Sequence, residues 1–262
     1  MDFVDSSFWP YILLGEFFLL WLLELRFAYY TFPESKLIHA VKNLSFTSIG
    51  LAIRYPLVIF LVDFYQRSSL SFALLRLDFL APSIKLICSI LLLDIWMYFW
   101  HRCNHTIPFL WNFHRVHHSD PSMDVTSSAR FHFGELLLSE SLRVPFFLLM
   151  GFSAKEIAFY NFLMMANVIL HHSNLALPMK LDRFWRLFFA SPFMHKIHHS
   201  QIPADTNSNY GSLFSFWDRI FASYRMRETK DLLMGLDTGE STQEKQTLLQ
   251  LLLTPIVKFN RL

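Results

Sequence analysis

Eleven of the twelve histidines lie between His101 and His199, and eight of them fall in three runs: His101 with His105, His114 with His117 and His118, and His195 with His198 and His199. Side chains three or four positions apart share one face of a helix, so each run aims two or three imidazoles at a common point. Imidazole is a ligand for iron, zinc, copper and nickel. Within each His-x-x-His-His run the adjacent pair diverges by about 100° around the helix axis, so one member serves one ion and its neighbour a second. Eight nitrogens exceed what one four-coordinate zinc or one six-coordinate iron takes up, and two ions are therefore expected. His132 and His172 stand beside these runs as further candidates, His171 is a weaker one, and the isolated His39 reads as a satisfied polar residue.

Asp94, Tyr98, His101 and His105 recur at the period of a single helical stripe. Asp94 then faces the same way as two ligands, where it either accepts the free ring N–H of a ligating histidine or pairs with an arginine inside the membrane such as Arg54. Other chemistries lose their signatures. The chain contains no His-Glu-x-x-His, no Gly-x-Ser-x-Gly elbow, no glycine-rich phosphate loop and no Glu-x-x-His pair of the carboxylate-bridged bundles. A net charge of +2 without a basic block gives nucleic acid no footing. What remains is a binuclear histidine centre opening onto lipid, suited to activating dioxygen against an unactivated C–H bond. The rival from another class is a non-enzymatic membrane protein that binds zinc or another metal.

The elements that must position these residues are membrane helices. Of 262 residues, 53% are hydrophobic and only 17% charged, an unusual balance for a soluble globule. The expected fold is all-α: an integral membrane helical bundle carrying a cytosolic, histidine-rich metal-binding cap. Phe8 to Tyr30 is a first span; Leu44 to Phe64 a second, with Arg54 and Pro56 predicting a kinked or partly inserted helix; and Ile84 to Trp100 a third that runs straight into the first histidine pair. Leu136 to Met150 and Ile157 to Leu170 are short for crossings and read as a hairpin that enters and returns, which puts His132 and His172 on one side. Cys88 and Cys103, about 20 Å apart on one helix at 1.5 Å per residue, cannot pair.

The division expected is residues 1–91 as N-terminal membrane helices, 92–224 as the histidine-motif domain and 225–262 as an interfacial tail, leucine-rich from Gln243 to Leu253 and on to Phe259. Three crossings and a returning hairpin place the histidines on one face, taken as cytoplasmic, with the N-terminus opposite. The acidic Asp2 and Asp5 permit that orientation, while Arg67, Arg76 and Lys85 on the outer side make loop charge a weak guide.

Tyr98-Phe99-Trp100-His101-Arg102, Leu110-Trp111-Asn112-Phe113-His114-Arg115-Val116-His117-His118-Ser119, Arg130-Phe131-His132-Phe133-Gly134-Glu135, His172-Ser173-Asn174, Met194-His195-Lys196-Ile197-His198-His199-Ser200, Asn209-Tyr210-Gly211 and Trp217-Asp218-Arg219-Ile220-Phe221 follow one another in order. This set resembles the fatty acid hydroxylase and sterol desaturase superfamily from about Leu92 to Tyr224. The resemblance implies a membrane oxidoreductase with two non-haem irons, or zinc as isolated, that acts on a fatty acyl, sterol, carotenoid or ether lipid with dioxygen and an external electron donor, by hydroxylation first, with desaturation or cleavage of an ether lipid after hydroxylation as variants. It implies ligands at His101, His105, His114, His117, His118, His195, His198 and His199, with His132 and His172 added, and supporting roles for Asp94, Arg130, Glu135, Asn174, Asn209 and Asp218. Two departures concern packing: Asn112 stands where a basic residue often follows the tryptophan, and Ala222-Ser223 where a Gly-Thr pair is common.

Overall fold

The structure, a computed structural model, describes residues 6–32, 34–67, 77, 79–242 and 246–257. Asp2, Asp5 and Arg76, and residues 243–245 and 258–259 of the leucine-rich tail, lie outside the described residues. Three long helices open the chain: α1 (Trp9–Phe27), α2 (Lys36–Arg67) and α3 (Pro82–Thr106). Among the described residues these supply three segments long and apolar enough to cross a membrane, Ser6–Phe27, Lys36–Phe64 and Pro82–Thr106. Large apolar side chains such as Leu19, Phe60 and Ile87 are exposed on them, a surface that suits lipid and not water.

Helix α2 continues through Pro56, so Arg54 and Pro56 do not break it. Proline is tolerated in a membrane helix where neighbours support the freed backbone, and α2 lies closely along α5 (Phe133–Leu149). Gly50 permits that approach, because a Cβ there would stand 2.9 Å from Leu136 Cδ1. Arg54 is also paired inside the protein, with its Nη2 2.7 Å from Glu140 Oε1 on α5.

Helix α3 carries the chain from the apolar region into the first histidine pair and stops at Ile107, which is extended at φ −97° and ψ 114°. Pro108 dictates that stop, since the residue before a proline avoids the helical region; proline is at ease in a first turn and opens α4 (Pro108–His118). The hairpin returns as expected. Helix α5 and α6 (Ala154–His172) are joined through Gly151 at φ 80° and a reciprocal Ser153–Glu156 capping box. Beyond α6 come the short helices α7 (Met179–Trp185), α8 (Pro192–His198), α9 (Pro203–Thr206) and α10 (Phe216–Ile220), and finally α11 (Leu248–Leu253). The fold is all-α; the described residues form only isolated bridges, such as Phe189 with Phe214. Both cysteines are free.

One core cluster, formed by Leu93, Phe147, Tyr160, Met164 and Leu213, joins α3, α5 and α6 to the loop before α10. Asp94 lies within it, fully buried. It takes up neither role weighed for it from the sequence: its carboxylate accepts from Tyr160 Oη at 2.8 Å, Trp217 Nε1 at 2.9 Å, and the backbone N–H groups of Phe214 and Leu213 at 3.1 and 3.3 Å. The carboxylate is the junction between the membrane helices and the cap. Removing it strands four donors, each costing about 1–3 kcal/mol when buried and unpaired. Asp94→Ala should therefore lower the thermal unfolding midpoint in detergent sharply, with Asp94→Asn in between; a wild-type midpoint for the alanine variant would refute this role.

Candidate metal centre

Nine imidazoles converge in two groups. His101 and His105 from α3, His114 and His118 from α4, and His198 from α8 form the first; His117 from α4, His172 from the end of α6, His195 from α8 and His199 just past it form the second. Within each group the candidate ligand atoms lie within 4.8 Å of one another. Each adjacent pair is divided between the groups, His117 from His118 and His198 from His199, as the angular step along a helix requires. The groups abut, with the His118 and His199 rings stacked at 4.3 Å and 14°.

The spacing within the groups is that of a coordination shell. The Nε2 atoms of His101 and His198 are 3.0 Å apart, those of His172 and His195 2.9 Å, of His195 and His199 3.1 Å, and of His117 and His172 3.2 Å. Two nitrogens each about 2.0–2.1 Å from one ion, at right or tetrahedral angles, would stand about 2.9–3.4 Å apart. Both ring nitrogens of His105 and His118, Nε2 of His114, and Nδ1 of His117 and His199 are buried without a hydrogen-bond partner. Orphaned polar atoms at such density are costly, and a bound cation relieves that cost. The residues fit two metal ions.

Ring orientation is fixed from behind. His101 Nδ1 donates to the Tyr210 carbonyl at 2.9 Å, His198 Nδ1 to that of Ser208 at 2.6 Å, and His172 Nδ1 to that of Val168 at 2.8 Å. A carbonyl only accepts, so Nδ1 carries the proton and Nε2 presents its lone pair. His114 Nδ1 donates to Glu135 Oε1 at 2.8 Å, and the same oxygen accepts from Asn104 at 3.1 Å. Burial pushes the pKa of His117, His118, His195 and His199 well below the ordinary value, with neighbouring imidazoles adding to it. It pushes His198 down to about 3. At neutral pH these rings are in the neutral form that binds metal.

The other expected polar residues act one step further out. Asp218 accepts from the backbone of Tyr210 and Gly211 at 2.7 and 3.0 Å and from Ser223 Oγ at 2.7 Å, and so holds the loop that brings the Tyr210 carbonyl to His101. Asn209, in the left-handed region at φ 55°, donates to the carbonyls of Met194 and Arg225 at 3.1 and 2.7 Å. Arg130 donates to the Val116 carbonyl at 3.0 Å and to Ser119 Oγ at 3.0 Å, closing the C-terminal end of α4 with a cation. Asn174 clasps both backbone groups of Tyr30 at 2.9 Å, tying α6 to the chain just after α1. Ala222, the first residue of the Ala222-Ser223 departure, sits at φ 56°, where glycine would be unstrained, and the Ser223 hydroxyl that donates to Asp218 also meets Tyr98 Oη at 2.7 Å.

Three histidines stand outside both groups. His132 begins α5, its Nδ1 accepting from the Gly134 N–H at 3.0 Å and its Nε2 donating to the Leu252 carbonyl at 3.2 Å. The His171 ring lies 4.0 Å from that of His195 and contacts the Asn167 amide at 3.4 Å. His39 is buried against Asp120 at 2.9 Å and Asp124 at 3.3 Å, a satisfied polar residue.

A cavity of about 730 Å³ opens onto both groups, touching His101 and His114 of one and His117, His172 and His195 of the other. Leu13, Leu51, Leu136, Phe162 and Met165 line it from the long helices.

This architecture sets helices long and apolar enough to cross a membrane under a cap of two histidine groups that could each hold a metal ion. The fatty acid hydroxylase family matches residues 86–223, a little over half of the chain and all nine grouped histidines. The chain belongs to that family. It is 28% identical over 144 residues to ornithine lipid hydroxylase OlsE of Rhizobium tropici, covering 54% of this chain and 42% of that protein. It is 25% identical over 248 residues to an alkylglycerol monooxygenase of Caenorhabditis elegans, covering 90% of this chain and 45% of that one. With sphingolipid C4-hydroxylase SUR2 of Saccharomyces cerevisiae it shares 32% over 143 residues, 53% of this chain and 40% of that one. The chain thus spans less than half the length of each. No solved structure matches it.

The contrast between His172 and His132 is testable. His172→Ala should lower metal content, since loss of even a residue that only orients a ligand costs roughly 10- to 100-fold in metal affinity or activity. His132→Ala should keep the full complement and act only on stability. Elemental analysis of the purified variants decides it, and equal metal loss from both would contradict the grouping.

Proposed function

We propose that this chain is a membrane-bound monooxygenase that holds two irons and hydroxylates a lipid with dioxygen and two electrons from an external donor. The observation that carries this reading is the convergence of nine imidazoles, eight of them buried, in two groups facing a largely apolar cavity. Imidazole alone suits several metals; iron is preferred because the relatives' names describe hydroxylases and monooxygenases, and oxygen insertion needs a redox-active metal. When bound, the metal pair supplies the activation of dioxygen. One oxygen atom enters a C–H bond of the substrate, and the other is reduced to water.

The chain's own residues hold, orient and exclude. The group of His101, His105, His114, His118 and His198 would hold one ion, and that of His117, His172, His195 and His199 the other. Glu135 and the carbonyls of Tyr210, Ser208 and Val168 keep four rings in the ligating tautomer. The cavity takes the acyl or sterol portion of the substrate from the bilayer and keeps water from the reacting carbon. Residues 92–224 would form the catalytic unit; from residues 1–91, Leu13, Thr47, Leu51 and Arg54 complete the cavity wall, and from residues 225–262 the turn at Thr254–Ile256 packs against α4. The histidine face is assigned to the cytoplasm, where a soluble or membrane-bound donor reaches it.

Expression under isotopically labelled dioxygen should yield a host lipid heavier by one labelled oxygen, absent with His198→Ala. Label arriving from water would indicate metal-assisted hydrolysis instead. An unsaturated product without oxygen would make the chain a desaturase, and an unchanged lipid profile across hosts with iron and donor present would leave a non-enzymatic metal protein.

A further inference from the structure

One polar cluster on the cavity wall takes no part in holding the histidines. Arg54, deep within the Lys36–Phe64 segment, donates to Glu140 Oε1 from Nε at 2.7 Å, with its Nη2 also 2.7 Å from that oxygen in an ion pair, and Arg143 donates to the same oxygen from Nη2 at 2.5 Å. All three residues line the cavity. Two guanidiniums against one carboxylate leave a net positive charge in a region where charge is expensive and generally marks a substrate path. A bridge that served only to neutralise Arg54 would need no second arginine. The hydrogen bonds to Glu140 engage one N–H group of Arg54 and one of Arg143, fewer than a guanidinium offers, and its planar fork matches carboxylate and phosphate oxygens. On the same cavity wall, Asn161 has a buried Oδ1 without a partner, able to accept from a hydroxyl or amide N–H of a bound molecule.

We propose that Arg54, Arg143 and Glu140 form a head-group subsite for a lipid bearing an oxyanion, a carboxylate or a phosphate, with Asn161 receiving a neighbouring donor group. This inference rests on the monooxygenase reading for what becomes of the bound lipid, and it sets the reach of the site. Glu135 touches His114, and Glu140 and Arg143 follow it on α5 by about 8 and 12 Å at 1.5 Å per residue. The carbon presented to the metal groups is therefore near the head and not at the far end of the chain.

Binding tests the subsite apart from catalysis. The full chain, purified in detergent and held under argon without reductant, is titrated with oleic acid, dioleoyl phosphatidic acid and oleyl alcohol, and affinities are read from quenching of intrinsic tryptophan fluorescence. At least one of the two acids should bind roughly 10- to 100-fold more tightly than the alcohol, and whichever does identifies the oxyanion as carboxylate or phosphate. Arg54→Gln and Arg143→Gln should abolish that preference, with affinity for the alcohol unchanged as the sign of an intact cavity, and Arg143→Lys should keep most of it. Equal binding of the alcohol and both acids, or a preference that survives both glutamine substitutions, would overturn the proposal. Selective binding without oxygen insertion would count against the monooxygenase reading alone, and oxygen insertion without selective binding against the subsite alone.

Discussion

The structure depends on gathering nine imidazoles, eight of them buried, and pointing them at two places. Burial alone would make such a cluster a liability: orphaned ring nitrogens cost free energy, and like charges at 4 to 5 Å would repel if the rings were protonated. The pKa depression of the cap histidines is the electrostatic expression of that environment. It leaves lone pairs that only a cation satisfies collectively. Every nearby element answers to this constraint, from the extended Ile107 that turns α3 into α4 to the loop whose Tyr210 carbonyl holds His101.

Rigid supports keep the two groups distinct. Each draws ligands from at least three helices, and those helices are fixed to one another by buried polar junctions outside the groups: Asp94 between α3, α6 and the loop before α10, Asp218 within the loop to His101, and Arg130 at the end of α4. None of the three touches a grouped histidine through its side-chain hydrogen bonds. They set backbone positions, and a shift of an ångström in any of them would move nitrogens whose separations are near 3 Å. The apolar helices supply the other half of the arrangement, a cavity lined mostly by hydrocarbon, with imidazoles and the Arg54, Glu140 and Arg143 cluster among its lining.

Much of this was legible in the residues. Helical spacing predicts which histidines share a face and that His117 and His118, like His198 and His199, part ways; both follow from local geometry. The all-α fold, the three long apolar helices and the returning hairpin likewise follow from hydropathy and length. What depends on the partner across the gap was not legible. A stripe shows which face Asp94 occupies on α3, but not that Tyr160 and Trp217 stand opposite, nor that Glu140 waits for Arg54. His171 and His172 differ by one angular step, so which of them reaches His117 depends on the rotation of α6. The carbonyls that orient three of the rings carry no sequence signal at all, since every residue has one.

The central claim is that the two histidine groups are two metal sites. Elemental analysis of protein expressed with iron, combined with X-ray absorption at the iron edge, measures it most directly. The account predicts two equivalents of iron per chain, each in a shell of nitrogen ligands near 2.0–2.2 Å. A reproducible single equivalent of any metal, or a shell dominated by oxygen or sulfur, would contradict it.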